Sequence, residues 1–383
     1  MMMERRQIVD LAAQGETGPM VTLVRVEGSS YRQPGARLLL SANTPGAYAG
    51  TLSGGCLEAE VVTKALWKLR RGPVVERYST LFDDTAEVPY GLGCGGTVDL
   101  LFEPAGTPEF DSLVRTLAAT LQGDSFTILT RLPSDQAQFA RAVISGCGET
   151  LFASDGFSPD EIARSLDAGQ PEILGIFRER LTPPQRLIVF GAGDDTKPLV
   201  NMGALLGWTV IVVDGRAQLA RPERFPAAVR VFAASPSNLE SLHVTSNDAV
   251  VLMTHSYEQD REWLAALLPI APRYFGVLGA RHRSSLLVSE AALLCGLPLA
   301  TCCERIFAPV GLDLGGDGPE AIALAVLAEA HARCMGRLGD SRRLSAGDVA
   351  AQIQQGGASR YLQAQCAFDG TASQALLDTA SLS

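Results

Sequence analysis

The chain has 383 residues, which at about 150 residues per domain suggests two or three domains, each able to bury its own core. Its composition, with 46% hydrophobic residues, 19% charged residues and 38 glycines, excludes collagen-like, coiled-coil and wholly disordered proteins. The net charge of −10, from 32 Lys and Arg against 42 Asp and Glu without a basic tract, argues against non-specific nucleic-acid binding.

Hydrophobic periodicity predicts an α+β domain over residues 1–180. Apolar residues at helical spacing predict helices over 4–14, 107–122 and 159–166. Short apolar runs predict the strands of this domain, which cover 21–26, 37–40, 47–52, 97–102, 126–130, 140–145, 151–153 and 173–177. The prolines of segment 181–185 then mark a domain boundary.

A polar loop follows the first predicted strand. Residues 28–35 hold Ser29, Ser30, Arg32 and Gln33 between two glycines, a dense set of hydrogen-bonding groups suited to an anionic or heterocyclic ligand. The same pattern is typical of a solvated hairpin loop, so both interpretations stay open.

Two glycine-flanked cysteines form a second signal. Cys56 follows Ser-Gly-Gly and precedes apolar residues at helical spacing, which predicts that it lies in the first turn of a helix. A thiol there has its thiolate favoured and its sulfur accessible. Cys94 lies in a similar cluster, Gly-Leu-Gly-Cys-Gly-Gly. For both, the alternative is a small buried residue where loop and helix pack closely.

From residue 186 strands and helices alternate, which predicts βαβ units around a parallel sheet. The predicted strands cover 187–190, 209–213, 229–232, 249–253 and 274–278, and the predicted helices cover 196–206, 259–268, 284–295 and 319–333. We therefore expect a Rossmann-like, doubly wound domain over 185–337. Segment 338–383, rich in Ser, Ala, Gln and Gly with little periodicity, predicts a disordered tail.

The first strand of this domain runs into a glycine turn that opens a helix. Gly191 and Gly193 permit close approach of a pyrophosphate to the backbone, and Asp214, at the end of the next strand, could accept a ribose hydroxyl. Thr196 occupies the third glycine position, and the acidic pair 194–195 would repel a diphosphate. Two interpretations of this turn stay open: it binds a nucleotide, or the domain keeps the Rossmann-type fold while its cleft serves another purpose.

Three potentially cationic side chains follow the last predicted strand of the parallel sheet: Arg281, His282 and Arg283. Open α/β sheets bind ligands at this end of their strands, which predicts an anion site here. His255 follows another such strand. A histidine in this position is more often a polar residue at the rim of the sheet than a catalytic base.

The N-terminal sequence has no apolar stretch of signal-peptide length, and no run approaches ~18 uninterrupted apolar residues. We expect a cytoplasmic protein without membrane insertion. Eight scattered cysteines then predict reduced thiols rather than a disulfide framework. No cysteine pair has CxxC spacing and the four histidines form no HExxH motif, so the sequence supports no zinc site.

In order and spacing, the motifs up to about Arg333 resemble the xanthine dehydrogenase accessory factor family (XdhC/CoxI type). They are GSSYRQPGARLLL, GTLSGGCLEAEV, GLGCGGTVDLLFEP, FGAGDDTKPLV with GWTVIVVDGR and RFPAA, GVLGARHR, and APVGLDLGGDGPEAIALAVLAE. The resemblance implies an N-terminal accessory domain and a C-terminal Rossmann-like domain. It also implies a protein that binds molybdenum cofactor, supports its sulfuration by a cysteine desulfurase and delivers it to an apo molybdenum hydroxylase of the xanthine dehydrogenase, aldehyde oxidase or CO dehydrogenase class.

Molybdopterin carries a phosphate, or a diphosphate and nucleoside in its dinucleotide form, and a soft metal–sulfur centre. The expected ligands are Gly191, Gly193, Arg281 and Arg283 for phosphate, Asp214 for ribose, Ser29, Ser30 and Gln33 for the pterin edge, and Cys56 or Cys94 for molybdenum or sulfur, with Cys56 as the metal contact. The expected protein is a maturation chaperone without obligatory turnover, and a homodimer on base rates. The alternatives are an NAD(P)-dependent oxidoreductase and a nucleotide-sensing partner of the hydroxylase.

Overall fold

A computed structural model of the chain describes residues 2–28, 30–55, 57–79, 96–167, 172–173, 175–341 and 343–354. The chain divides into two units, Met1–Cys334 and Met335–Ser383. The described residues of the first unit form three five-stranded sheets, two antiparallel and one parallel. This is the mixed α/β architecture that the sequence predicts.

The first antiparallel sheet has the strand order β3-β2-β1-β5-β4. Its strands are β1 (Thr17–Glu27), β2 (Arg37–Ser41), β3 (Tyr48–Gly50), β4 (Val74–Ser79) and β5 (Thr97–Glu103), and its helices are α1 (Met2–Ala13) and α2 (Glu58–Lys68). Successive side chains of a strand point to opposite faces of the sheet. Val21 and Leu23 therefore pack with α2, whereas Met20 packs on the other face with Ile8 of α1. Both faces of the sheet are covered by helices.

The second antiparallel sheet has the strand order β8-β7-β6-β10-β9. Its strands are β6 (Phe126–Arg131), β7 (Ala140–Ser145), β8 (Thr150–Ala153), β9 (Glu172–Ile173) and β10 (Ile176–Leu181), and its helices are α3 (Pro108–Gln122) and α4 (Pro159–Asp167). The hydroxyl of Thr107 caps α3 by accepting a hydrogen bond from the Phe110 amide. Leu113 and Leu117 of α3 pack in one core with residues of both sheets. The two sheets therefore share a hydrophobic core.

Two buried ion pairs also connect the antiparallel sheets. Arg141 of β7 donates to both carboxylate oxygens of Glu103 on β5, at 2.8 and 2.9 Å, and the two side chains are 2% and 0% exposed. Arg37 of β2 donates in the same forked manner to Glu179 of β10. Because each charge is buried, each needs the other in place.

The parallel sheet has the strand order β13-β12-β11-β14-β15. Its strands are β11 (Arg186–Phe190), β12 (Thr209–Asp214), β13 (Arg230–Ala233), β14 (Ala249–Leu252) and β15 (Tyr274–Val277), and its helices are α5 (Thr196–Leu205), α6 (Tyr257–Leu267), α7 (Arg281–Cys295), α8 (Leu299–Arg305) and α9 (Pro319–Cys334). Helices α5 and α9 pack on one face, and α6 and α7 on the other. In chain order the strands lie 3-2-1-4-5, which is the doubly wound Rossmann arrangement and confirms the predicted fold class.

Most predicted elements appear within a few residues of their predicted bounds. The predicted strand 173–177 is instead two strands, β9 and β10, and neither helix α8 nor strand β4 was predicted. The residues of β4, VVERYS, include three polar side chains, and it lies at the edge of its sheet, where a strand needs no continuous apolar run. In the described part of the second unit, helix α10 (Ala346–Gln354) lies within the segment for which the sequence predicts disorder.

No single helix of the described chain is long and apolar enough to cross a bilayer. Only α7 and α8 taken together, across a bend of 118°, reach such a length and hydropathy. Leu287, Ala291 and Cys302 of this pair are buried in the core of the parallel-sheet domain.

Replacing Glu103 by Gln should lower the free energy of unfolding by about 3–5 kcal/mol, because the Arg141 guanidinium would stay buried without a counter-charge. Urea denaturation followed by circular dichroism measures this loss. The matched control is Glu27→Gln, which removes a carboxylate paired with Arg77 at the surface and should cost under about 1 kcal/mol. Equal losses in the two variants would contradict the role of burial.

Candidate functional site

The strand order of the parallel sheet reverses between β11 and β14, and the loops that follow these strands meet there. Gly191 begins the loop after β11 with a left-handed backbone, φ +128°. A Cβ atom at this position would overlap the carbonyl group of Met253, which follows β14. Only glycine permits this close approach of the two loops. The glycine turn therefore lies at the point where open α/β sheets bind ligands.

Asp214, predicted as a ribose acceptor, lies at the end of β12 and is 1% exposed. Its carboxylate accepts from the Ala192 amide at 2.7 Å, from the Arg216 amide at 2.8 Å and from the Arg216 guanidinium at 2.9 and 3.0 Å. Burial alone would raise the pKa of Asp214, but the hydrogen bonds from Arg216 and Ala192 bring it below its ordinary value. A ribose hydroxyl on this carboxylate would have to displace Arg216, because these four donors fill its acceptor positions.

The two acidic residues after Gly193 both contact side chains of the chain itself. Asp194 accepts from Lys197 at 2.7 Å and from Arg224 at 2.9 Å, and these hydrogen bonds lower its pKa. Asp195 lies 2.7 Å from the imidazole Nε2 of His255, in the loop after β14. A pyrophosphate on this turn would meet two carboxylates and compete with Asp214 for the Ala192 amide. Of the two interpretations of this turn, the geometry favours a Rossmann-type fold whose cleft serves a purpose other than nucleotide binding.

The two arginines predicted to bind phosphate have different surroundings. Arg283 donates to the carboxylate of Asp260 at 2.8 Å and to the Leu278 carbonyl at 3.2 Å, and Asp260 is 1% exposed. Thr254 donates to the other oxygen of that carboxylate at 2.7 Å. Arg283 is therefore part of a buried hydrogen-bond network, whereas Arg281 is exposed at the start of α7. Of the two, Arg281 has the freer access to a ligand.

The polar loop of the N-terminal region lies beside α1. Arg32 binds the Glu4 carboxylate of that helix through both of its terminal nitrogens, one at 2.7 Å. Gln33 is exposed and Ser30 is half-buried. Ser29, the remaining predicted residue of this loop, lies outside the described residues.

A buried carboxylate organises residues 51–55 and 57, which lie on both sides of Cys56 in the sequence. Glu58 is 2% exposed and accepts from the Thr51 hydroxyl at 2.6 Å, from the Leu52 and Ser53 amides at 2.9 and 2.8 Å, and from the Ser53 hydroxyl. The Ser53 oxygen in turn accepts from the Gly55 and Leu57 amides, each at 3.1 Å. Burial opposes ionisation, yet the hydrogen bonds from Ser53, Thr51 and the backbone lower the pKa of Glu58 to about 2.

Helix α2 begins at Glu58, two residues after Cys56, so the predicted helix start was too early. Ser53 caps the turn before the helix and not the helix itself, because its hydroxyl bonds to residues 55 and 57. Cys56 and Cys94 themselves lie outside the described residues.

The structure brings Gly191, Gly193 and Asp214 together at one turn. Between this turn and the described residues of the two N-terminal loops, 30–35 and 51–55, no hydrogen bond or ion pair is formed. The described residues also contain no cluster of three or more His, Cys, Asp or Glu side chains that could hold a metal ion.

Sequence reasoning missed two arrangements, the Glu58 cluster and the Asp195–His255 contact. Glu58 follows a Thr-x-Ser-Gly-Gly segment, and the hydroxyl side chains of that segment are a signal for a carboxylate partner. The Asp195–His255 contact joins residues 60 positions apart, which no local pattern reveals.

Comparison with known proteins gives two family matches. The family model described as the XdhC Rossmann domain matches residues 187–330, and that of the XdhC and CoxI family matches residues 11–79. The chain is 30% identical over 325 residues to a protein of Bacillus subtilis (strain 168) that is named as a probable xanthine dehydrogenase subunit. The alignment covers 82% of this chain and 92% of that protein.

Two further relatives span most of the chain. One, from Escherichia coli (strain K12), is named "Molybdenum cofactor insertion chaperone PaoD" and is 25% identical over 330 residues, 85% of this chain and 86% of that protein. The other is a crystal structure of a xanthine dehydrogenase from Bacillus halodurans, 28% identical with a TM-score of 0.75. The matched region covers 90% of this chain and 99% of the chain in that crystal structure.

Replacing Gly191 by Ala should lower the free energy of unfolding by about 2–4 kcal/mol, because the methyl group would push the loop after β11 away from Met253. Thermal or urea denaturation measures the change. Gly215→Ala is the matched control, since a Cβ there meets its nearest atoms at 3.6 Å, an ordinary contact, and should stay within about 1 kcal/mol of wild type. A Gly191→Ala protein as stable as this control would show that the loops are not packed so closely.

Replacing Glu58 by Gln should cost about 3 kcal/mol at pH 7, because the pKa of Glu58 falls from 4.5 to about 2 on folding. A lowered pKa contributes stability that is complete above about pH 4.5 and is lost as the pH falls towards 2. The difference in unfolding free energy between wild type and variant should therefore shrink across this window.

Urea denaturation at a series of pH values measures this dependence. Glu262→Gln, a change at an exposed glutamate of α6, is the control and should show little difference from wild type at any pH. A Glu58→Gln difference that stays constant from pH 7 to pH 3 would contradict the hydrogen-bonded carboxylate.

Proposed function

The chain belongs to the XdhC and CoxI family, and we propose that it binds molybdenum cofactor and inserts it into an apo molybdenum hydroxylase. Family membership supports an accessory role in molybdenum cofactor maturation. In our proposal the acceptor is of the xanthine dehydrogenase, aldehyde oxidase or CO dehydrogenase class. A cysteine desulfurase sulfurates the cofactor while the chain holds it, and the exchange takes place in the cytoplasm between a homodimer and its partners.

The observation that carries the proposal is the hydrogen bonding of residues 51–55 and 57 around the Glu58 carboxylate. Six hydrogen bonds centred on Glu58 and Ser53 hold the residues on both sides of Cys56. A soft thiolate is a suitable ligand for molybdenum and a suitable acceptor for sulfur. Hydrogen-bonded residues on both sides of the cysteine suit a site that loads and releases the same cargo repeatedly.

The remaining groups of the cofactor have complementary side chains in the chain. We assign the pterin edge to Ser30 and Gln33, together with Ser29, and the cofactor phosphate to Arg281 at the exposed start of α7. Cys94 is the second thiol available for sulfur. The Rossmann turn is the weaker candidate for a phosphate, because Asp214 already holds the Ala192 amide. The same contact weighs against an NAD(P)-dependent oxidoreductase.

Anaerobic gel filtration with free molybdenum cofactor tests the proposal. Molybdenum is measured by elemental analysis and pterin by fluorescence, for the full chain and for Cys56→Ala. We expect wild type to elute with cofactor in stoichiometric amount and Cys56→Ala to retain at least tenfold less molybdenum while keeping its circular dichroism spectrum.

Cys147→Ala is the matched control, because it removes an exposed thiol from a different part of the chain and should leave retention unchanged. Equal retention by wild type and Cys56→Ala would remove Cys56 from the site. Absence of cofactor from the wild-type peak would contradict the carrier function itself.

A further inference from the structure

A polar cavity lies where α1, β2, α3 and β10 of the two antiparallel sheets meet. Glu4, Arg5, Gly35, Arg37 and Glu179 line it, with apolar side chains of α1 and α3 at its edge. Its volume is about 30 Å³, which is room for about two water-sized oxygen atoms. Gly35 belongs to the polar loop 28–35, and its φ of +96° brings its backbone against the Glu179 carboxylate.

The charges around this cavity do not balance. Arg37 occupies both oxygens of Glu179, and Arg32 occupies both oxygens of Glu4. Arg5 is only 9% exposed, yet among the described residues it bonds to neutral groups alone. These are the Thr120 hydroxyl at 2.9 Å and the Thr182 carbonyl at 2.8 Å. The cavity therefore has one buried positive charge in excess.

Hydrogen-bond donors are also left over. Arg5 makes its described hydrogen bonds through Nη1, which leaves the N–H groups of Nε and Nη2 without an acceptor in the described chain. The Nε of Arg37, a residue 7% exposed, is buried and has no partner there either. A guanidinium has five N–H donors and no acceptor, so these groups need oxygen atoms from solvent or from a ligand.

Charge distinguishes the possible occupants of the cavity. Water could accept the unassigned hydrogen bonds but would leave the Arg5 charge uncompensated in a buried site. Burial and the neighbouring charge of Arg37 lower the pKa of Arg5 to about 10, although the Glu179 carboxylate acts in the opposite direction. An anion with two adjacent oxygen atoms satisfies the donors and the charge together.

We propose that the cavity between Arg5 and Arg37 binds an oxyanion of the phosphate class, with two of its oxygens facing the two guanidinium groups. The cavity is too small to enclose a whole phosphate, so the ligand inserts one edge and keeps the rest outside. Free phosphate and a phosphate monoester present the same edge. This site goes beyond the proposed carrier function and does not involve Cys56.

Isothermal titration calorimetry of the full chain at pH 7 tests the site, with inorganic phosphate as one probe and glycerol phosphate as the other. Wild type should bind one equivalent of either probe, and tighter binding of glycerol phosphate would identify an ester as the ligand. Arg5→Gln should weaken binding at least tenfold. Arg115→Gln, at an exposed position of α3, is the matched control and should bind like wild type.

A wild-type measurement covers the case in which Arg5→Gln does not fold. Phosphate should raise the melting temperature of the wild-type chain above that in chloride of equal ionic strength, because it binds the folded state alone. No heat with either probe and no difference between phosphate and chloride would overturn the site. An equal loss of binding in Arg5→Gln and Arg115→Gln would overturn it as well.

Discussion

Two buried arginine–glutamate pairs determine how the antiparallel half of the molecule is assembled. Arg141–Glu103 and Arg37–Glu179 each join a strand of one sheet to a strand of the other. A buried charge without its partner is costly, so the sheets have few arrangements in which both pairs form. The cavity beside Gly35 depends on this arrangement, because Arg37 and Glu179 both line it.

The Rossmann half shows how a common fold can be kept while its usual site is altered. The strand order, the glycine turn and the acidic residue at the end of β12 are all present. Yet the Asp214 carboxylate accepts a hydrogen bond from the Ala192 amide of the turn. Asp194 and Asp195 are paired with neighbouring side chains. Carboxylates of the chain therefore stabilise the turn at the place where the negatively charged pyrophosphate of a dinucleotide would bind. Fold alone therefore does not decide the ligand.

Local sequence patterns predicted most helices and most strands because apolar spacing is a local property. The site was less predictable. Arg283 lies in a position that suggests a phosphate ligand, but its partner Asp260 is 23 residues earlier, and only the packing of α6 against α7 brings them together. The sequence shows Glu58 as an acidic residue after a serine. Its burial and its hydrogen bonds depend on the three-dimensional path of residues 51–53, which a local pattern does not give. The sequence therefore did not reveal which charged side chains lie next to each other in the folded chain.

In the proposed function, the segment before α2 holds the cargo and the acceptor enzyme removes it. The most direct measurement is a transfer experiment, in which the cofactor-loaded chain is mixed anaerobically with an apo-hydroxylase, the proteins are separated, and molybdenum and hydroxylase activity are measured in each. If the chain is a carrier, molybdenum will move to the hydroxylase and activity will appear faster than with the same amount of free cofactor. Activation at the same rate by free cofactor, with the chain's molybdenum left in place, would contradict the carrier function.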